Sequence, residues 1–129
     1  MLQLASGVHT LTAAGNVVRA AIHTDAPVVA TDTGLADWTQ ITGTGYTAGG
    51  EDIQNSISQA AGTLTATATD VVWTATAADW TATARYVSTY NDTAVGNNAI
   101  NYWDYGATFA VGNGETFTLD FGASWFTLA

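Results

Sequence analysis

The chain has 129 residues, enough for one domain with a sizeable core, and it contains no cysteine, which excludes disulfide frameworks, thiolate metal sites and cysteine nucleophiles. Eleven acidic side chains face only two basic ones, Arg19 and Arg85, for a formal net charge of −9. Such a surface repels nucleic acid and anionic membranes, both of which are bound through Lys and Arg, while a hydrophobic content of 47% with five tryptophans excludes a disordered chain.

The opening segment, MLQLASGVHTLTAAGNVVRAA, has no basic region and no apolar run of signal-peptide length. No stretch of about 18 apolar residues is present to cross a bilayer. Neither a secretory leader nor a membrane span is therefore expected.

Thr, Ala and Val dominate, and glycines separate short apolar segments, a pattern of many strands joined by turns. The first expected strand is NVVRAAIHT, Asn16 to Thr24, with Val18, Ala20 and Ile22 toward the core and Arg19 and His23 on the opposite face; Pro27 marks the turn out of it. Residues from about 26 to 50 are less regular. LADWTQI can hold a helical turn, and TGTGYTAGG is a loop, since so many glycines favour turns.

Further along, Leu64, Ala66 and Ala68 alternate with Thr63, Thr65 and Thr67, after which the apolar set shifts phase to Val71, Trp73 and Ala75. That slip predicts a bulge or tight turn near Thr69 and Asp70. In WTATARYVSTY, Ala82, Ala84, Tyr86 and Tyr90 are expected on a core face, with Thr81, Thr83, Arg85 and Thr89 on a wet one. Asn91 to Asn98 then reads as a loop leading into AINYWDYG. Phe117, Leu119 and Phe121 alternate with Thr116, Thr118 and Asp120, and Phe126 and Leu128 share a face of a last short strand. The turn residues of Gly112 to Gly114 and of Phe121 to Ser124 suggest hairpin links. Together these give a single domain over residues 1–129, an all-β antiparallel sandwich of jelly-roll or Ig-like type with about 7–9 strands.

Chemistry is harder to place. His9 and His23 are the only side chains with an unperturbed pKa near neutrality, and neither has a metal-site spacing or a catalytic context around it. Gly43, Gly45, Gly49 and Gly50 do not match a dinucleotide fingerprint, and the loop lacks the lysine and following helix of a phosphate loop. Asn91, Asp92, Asn97, Asn98 and Asp104 offer oxygen ligands of the kind calcium takes, at spacings that fit no EF-hand; they are equally ordinary turn residues. No catalytic residue, cofactor or metal ligand is nominated, and the tryptophans read as core and interface residues. Contact residues are sought instead on loops, namely Tyr46 in the glycine-rich loop and Asn91, Asp92, Asn97 and Asn98 in the later one. Arg19 and Arg85 are added as partners for acids on a neighbouring chain.

Several segments carry a resemblance: GTGYTAGG at Gly43 to Gly50, ADW at Ala78 to Trp80, the Y-x-x-x-Y-N-D run at Tyr86 to Asp92, WDYG at Trp103 to Gly106, and the Glu115 to Ala129 end closing on FTLA. In this order they resemble a group of small tailed-phage virion proteins, variously decoration, tail or fibre components, over roughly residues 40 to 129. The resemblance implies a β-sandwich that acts by binding, without turnover. It implies a capsid decoration or cement protein on the outer surface of the virion, with the major capsid protein as partner and a homo-oligomer, preferably a trimer, as its form. A tail or fibre component and a carbohydrate-binding or host-surface module are the competing expectations.

Overall fold

The computed structural model describes residues 9–12, 15–80 and 83–128. Nine strands lie among them: β1 (Val18–His23), β2 (Glu51–Asp52), β3 (Ser56–Ala60), β4 (Thr63–Thr67), β5 (Val71–Thr74), β6 (Ala84–Asn91), β7 (Ala99–Phe109), β8 (Thr116–Leu119) and β9 (Phe126–Leu128). Every pairing is antiparallel, in sheets ordered β2-β1-β6-β7, β3-β4-β9 and β5-β8. The chain thus forms the expected all-β sandwich.

Three pairs nest inside one another, β6 with β7, β5 with β8, and β4 with β9. A long two-stranded ribbon gives this order when it bends. The bend falls where the alternation slips: Ala66 and Val71 are both buried, yet they belong to different sheets. Residues 68–70 turn that corner on one strand and residues 120–125 on the other. The Phe121 N–H donates to Asp70 Oδ1 at 2.9 Å, which ties the two corners together.

For the same reason the turn at Phe121 to Ser124 is no hairpin link, because β8 and β9 lie in separate sheets. The Gly112 to Gly114 turn likewise carries the chain from β7 to a strand it does not pair with. One tight hairpin went unread in the sequence: β3 and β4 are joined by Ala61 and Gly62, both at positive φ (48° and 84°), the geometry that matches strand twist.

The main core gathers Val18, Ala20 and Ile22 from β1, Ala66 from β4, Val71 and Trp73 from β5, Val87 from β6 and Leu119 from β8. Each large aliphatic side chain buried here contributes about 1.5–3 kcal/mol. Trp38, Trp73, Trp80 and Trp125 are all buried, as anticipated for core aromatics. Where one face only is covered, alternation reads cleanly: Val71 and Trp73 are 5% and 1% exposed, but Val72 between them is 56% exposed.

The β1–β6 pair departs from that rule. Ala21, His23, Ser88 and Tyr90 point away from the main core and are nevertheless enclosed. The covering layer is the irregular stretch after β1, which includes a 3-10 helix at Leu35–Asp37; Trp38 packs with Ala21 and Tyr90 in a second apolar cluster. This corrects two expectations. His23 is wholly buried rather than on a wet face. In β6 it is Val87 and Ala84 that join the main core, while Tyr86 and Tyr90 face the cover and Thr89 is buried. An irregularity in pairing between Ala84 and Tyr86 produces the change of side. Thr81 and Ala82, expected on this strand, lie outside the described residues.

Candidate interaction site

The glycine-rich loop is built against β1. Tyr46 Oη accepts the Ile22 N–H at 3.1 Å and lies 3.0 Å from Gln40 Oε1, to which it donates. Burial pushes the Tyr46 hydroxyl far above its ordinary pKa. Gly50, at φ 68°, lies so close to β1 that a Cβ would overlap the Ala20 carbonyl oxygen. Only glycine fits there. The Trp80 indole N–H donates to the Thr44 carbonyl at 3.1 Å from beneath. Gly45 and Gly50 therefore serve close packing of backbone on backbone, and Gly43 leaves room for the Trp80 ring.

The second loop begins with Asn91, the last residue of β6. Its side chain is fully enclosed: Oδ1 accepts the N–H groups of Thr93 and Ala94, each at 3.1 Å, and Nδ2 donates to Asn16 Oδ1 at 3.0 Å. Asn91 shapes the loop from below and offers nothing to a neighbour. Asn97 sits at positive φ (49°), a conformation that asparagine tolerates better than most residues. The Asn97 carbonyl accepts the Leu35 N–H, and the Asn98 carbonyl accepts the Asn91 N–H. Asp37 Oδ2 in turn takes the N–H groups of Thr33 and Gly34 at 2.6 and 3.1 Å, which lowers its pKa.

Arg19 joins the two loops. Its Nε donates to Asp92 Oδ2 at 3.1 Å and its Nη1 to the Gly50 carbonyl at 2.9 Å. Tyr90 completes the junction by donating its hydroxyl to the Gly49 carbonyl at 2.7 Å, and burial raises its pKa to about 12. Arg19, Asp92, Tyr90, Gln40, Leu35 and the Thr47–Gly49 backbone line a shallow depression of about 550 Å³. Two loops about 40 residues apart in sequence thus meet in one surface, held by hydrogen bonds rather than left to move separately.

Arg85 stands apart, near the other end of β6. It grips Asp104 with two parallel bonds of 2.8 and 2.9 Å, and its guanidinium carbon lies 5.1 Å from the centre of the Tyr86 ring. The Arg85 fork, with help from the Gly106 N–H, holds Asp104 at a pKa of about 2. Asp104 is therefore engaged there, away from the Asn91–Asn98 loop with which it was considered as an oxygen donor. Both arginines are paired within the domain.

One polar constellation is absent from the contact residues that the sequence singled out. Ser88 Oγ lies 2.7 Å from His23 Nε2, and His23 Nδ1 lies 2.9 Å from the Asp25 carbonyl oxygen and 3.5 Å from Asp25 Oδ1. A carbonyl only accepts, so the neutral imidazole carries its proton on Nδ1 and Nε2 accepts from Ser88. The order of groups is that of a serine and its base. Here, however, Ser88 and His23 are 0% exposed, and the rings of Trp38 and Tyr86 stack on the imidazole at 5.1 and 5.7 Å. Burial lowers the His23 pKa. The arrangement braces the cover onto the sheet. Its one sequence signal is the alternation of β1 and β6, which places His23 and Ser88 on the same face of adjacent strands.

Among the described residues no group of three or more His, Cys, Asp or Glu side chains is placed to hold a metal ion, and no helix is long and apolar enough to cross a membrane. No protein-family model, curated protein or solved structure matches this chain.

Proposed function

We propose that this chain is a structural, non-enzymatic component of a tailed-phage particle, decorating the outside of the capsid by binding the lattice of the major capsid protein. The observation that carries this reading is the junction at Arg19, which makes one preformed surface of the Gly43–Gly50 and Asn91–Asn98 loops. The segments that resemble phage virion proteins include the first of these loops and, in the Tyr86 to Asp92 run, the opening two residues of the second. A surface already ordered loses little entropy on docking. Modest contacts repeated over a symmetric shell add up through avidity, and a trimer shared between neighbouring subunits suits such a shell. The net charge of −9 favours an exterior position, away from packaged DNA and without a membrane or nucleic-acid partner.

Quantitative mass spectrometry of purified particles tests the proposal. On the order of hundreds of copies per particle is the expected result for a repeated decoration. A handful of copies would move the chain to the tail or a fibre and make recognition of a host surface, including its glycans, the leading reading.

A further inference from the structure

The four-stranded sheet ends on β7, and among the described residues no strand pairs with its outer edge. Both ends of that edge are guarded. At the start, the Ala99 N–H donates to the Thr33 carbonyl, so the covering segment closes it. Toward the far end, Tyr105, Gly106, Ala107 and Thr108 all fall between the Tyr86–Asp104 and Ala84–Phe109 pairs, opposite Arg85 alone. This wide bulge carries Gly106 at φ 90°, with its N–H donating to Asp104 Oδ1 at 2.8 Å. Bulges and covers are how proteins blunt exposed edges. Ile100 to Asp104 is left open between them.

Two hollows follow one another along this open stretch. The first, about 310 Å³, lies between the Pro27–Thr33 loop and Ile100–Tyr102, with Trp38 in its wall. The second, about 210 Å³, lies between Trp103–Tyr105 and Phe117–Leu119. They open on opposite faces of the sheet. Tyr102 is paired with Ser88 on the covered face, whereas Trp103 is paired with Val87 on the side of the main core. Trp38 contributes to the wall of the first hollow, and its indole N–H is enclosed without an acceptor.

Successive side chains of a strand point to opposite faces. A segment laid along Ile100–Asp104 therefore sends one side chain toward Trp38 and Tyr102, and another, an odd number of residues away, toward Trp103 and Leu119. Backbone bonds to the edge hold such a segment, and the hollows select its side chains. Charge narrows the occupant. Asp32 lines the first hollow and Asp120 the second, where Arg85 and Asp104 neutralise one another. A second copy of the chain would bring a further −9 and no lysine. We infer that the open β7 edge captures, by strand addition, an extended segment of a different protein that carries apolar side chains on both of its faces with Lys or Arg among them. This holds whether or not the chain belongs to a phage particle, since it rests on the edge and its hollows.

Selection of a random short-peptide library on the isotope-labelled domain tests the inference, with bound peptides mapped by amide shifts and hydrogen exchange. Enriched peptides are expected to carry apolar residues an odd number of positions apart with Lys or Arg among them, and to slow exchange along Ile100–Asp104. Tyr102→Pro removes an edge donor position; Tyr102→Lys, at an exposed residue, keeps the backbone N–H and repels a basic segment. Tyr102→Lys is expected to weaken binding about tenfold or more while the spectrum stays that of the folded domain. The inference is overturned if no peptide is enriched, if the consensus is acidic, or if the shifts fall on other strands or on the glycine-rich loop.

Discussion

The two faces of the β1–β6 pair are both buried, but by different physics. Toward the main core, Val18, Ala20, Ile22 and Val87 pack against other apolar side chains. Toward the cover, Ala21 and Tyr90 share the space with His23 and Ser88, and the layer is fastened by hydrogen bonds and stacked rings. A sheet can be enclosed on a polar face provided that each polar group finds a partner. The inner face then depends on volume, and the outer one on the hydrogen bonds that hold His23 and Ser88.

Substitutions on each face sharpen that contrast. Ile22→Ala, on the inner face, is expected to cost about 2–5 kcal/mol in urea unfolding, because transfer and cavity terms add. Ser88→Ala removes little volume but strands His23 Nε2 without a donor, and its expected cost is about 1–3 kcal/mol. A negligible effect of Ser88→Ala would break the comparison, since the outer face would then be held by packing alone.

Acid should act on the outer face. In the unfolded chain His23 titrates near 6.5, and in the folded chain burial lowers that value. Between the two, the unfolded chain binds a proton that the folded chain does not, so stability falls as pH drops through 6.5 toward the folded value. His9 shifts in the same direction, again chiefly through burial, while Asp25 and Asp32 oppose the His23 shift. Thermal midpoints are expected to decline from about pH 7 to about pH 5, less steeply in His23→Gln. A flat profile over that range would remove the histidine from the account.

The smallest effects belong to the two half-buried arginines. Arg19→Ala should lower global stability by less than about 1 kcal/mol, yet accelerate amide exchange in both loops that it joins. Arg85→Ala, which breaks the forked pair with Asp104, is likewise expected to lower stability only slightly. Faster exchange in one loop alone after Arg19→Ala would mean that the two are not coupled through it.

These contrasts explain what the sequence disclosed. β5 and β8 were legible because one face is wet and the other dry, so the alternation of Val71, Val72 and Trp73 carries the burial directly. β6 was not, because Thr89 and Ser88 are polar and buried together, and a two-residue period cannot distinguish a satisfied hydroxyl from a solvated one. The slip at Thr69 and Asp70 was visible, but its meaning, a passage between sheets, depends on where β8 and β9 lie. Likewise the glycine-rich loop announced a tight turn, while the reason for Gly50 is the β1 backbone beside it. Arg19 and Asp92 were each singled out, but 73 residues separate them, and no local pattern foretells their pairing.

The most direct test of the proposed role is an averaged electron-microscopy reconstruction of particles carrying the chain. The account predicts repeated density on the outer shell, with the surface formed by Arg19, Asp92 and the Gly43–Gly50 loop turned toward the major capsid protein. Density confined to the tail, or a shell-bound domain with that surface facing solvent, would contradict it.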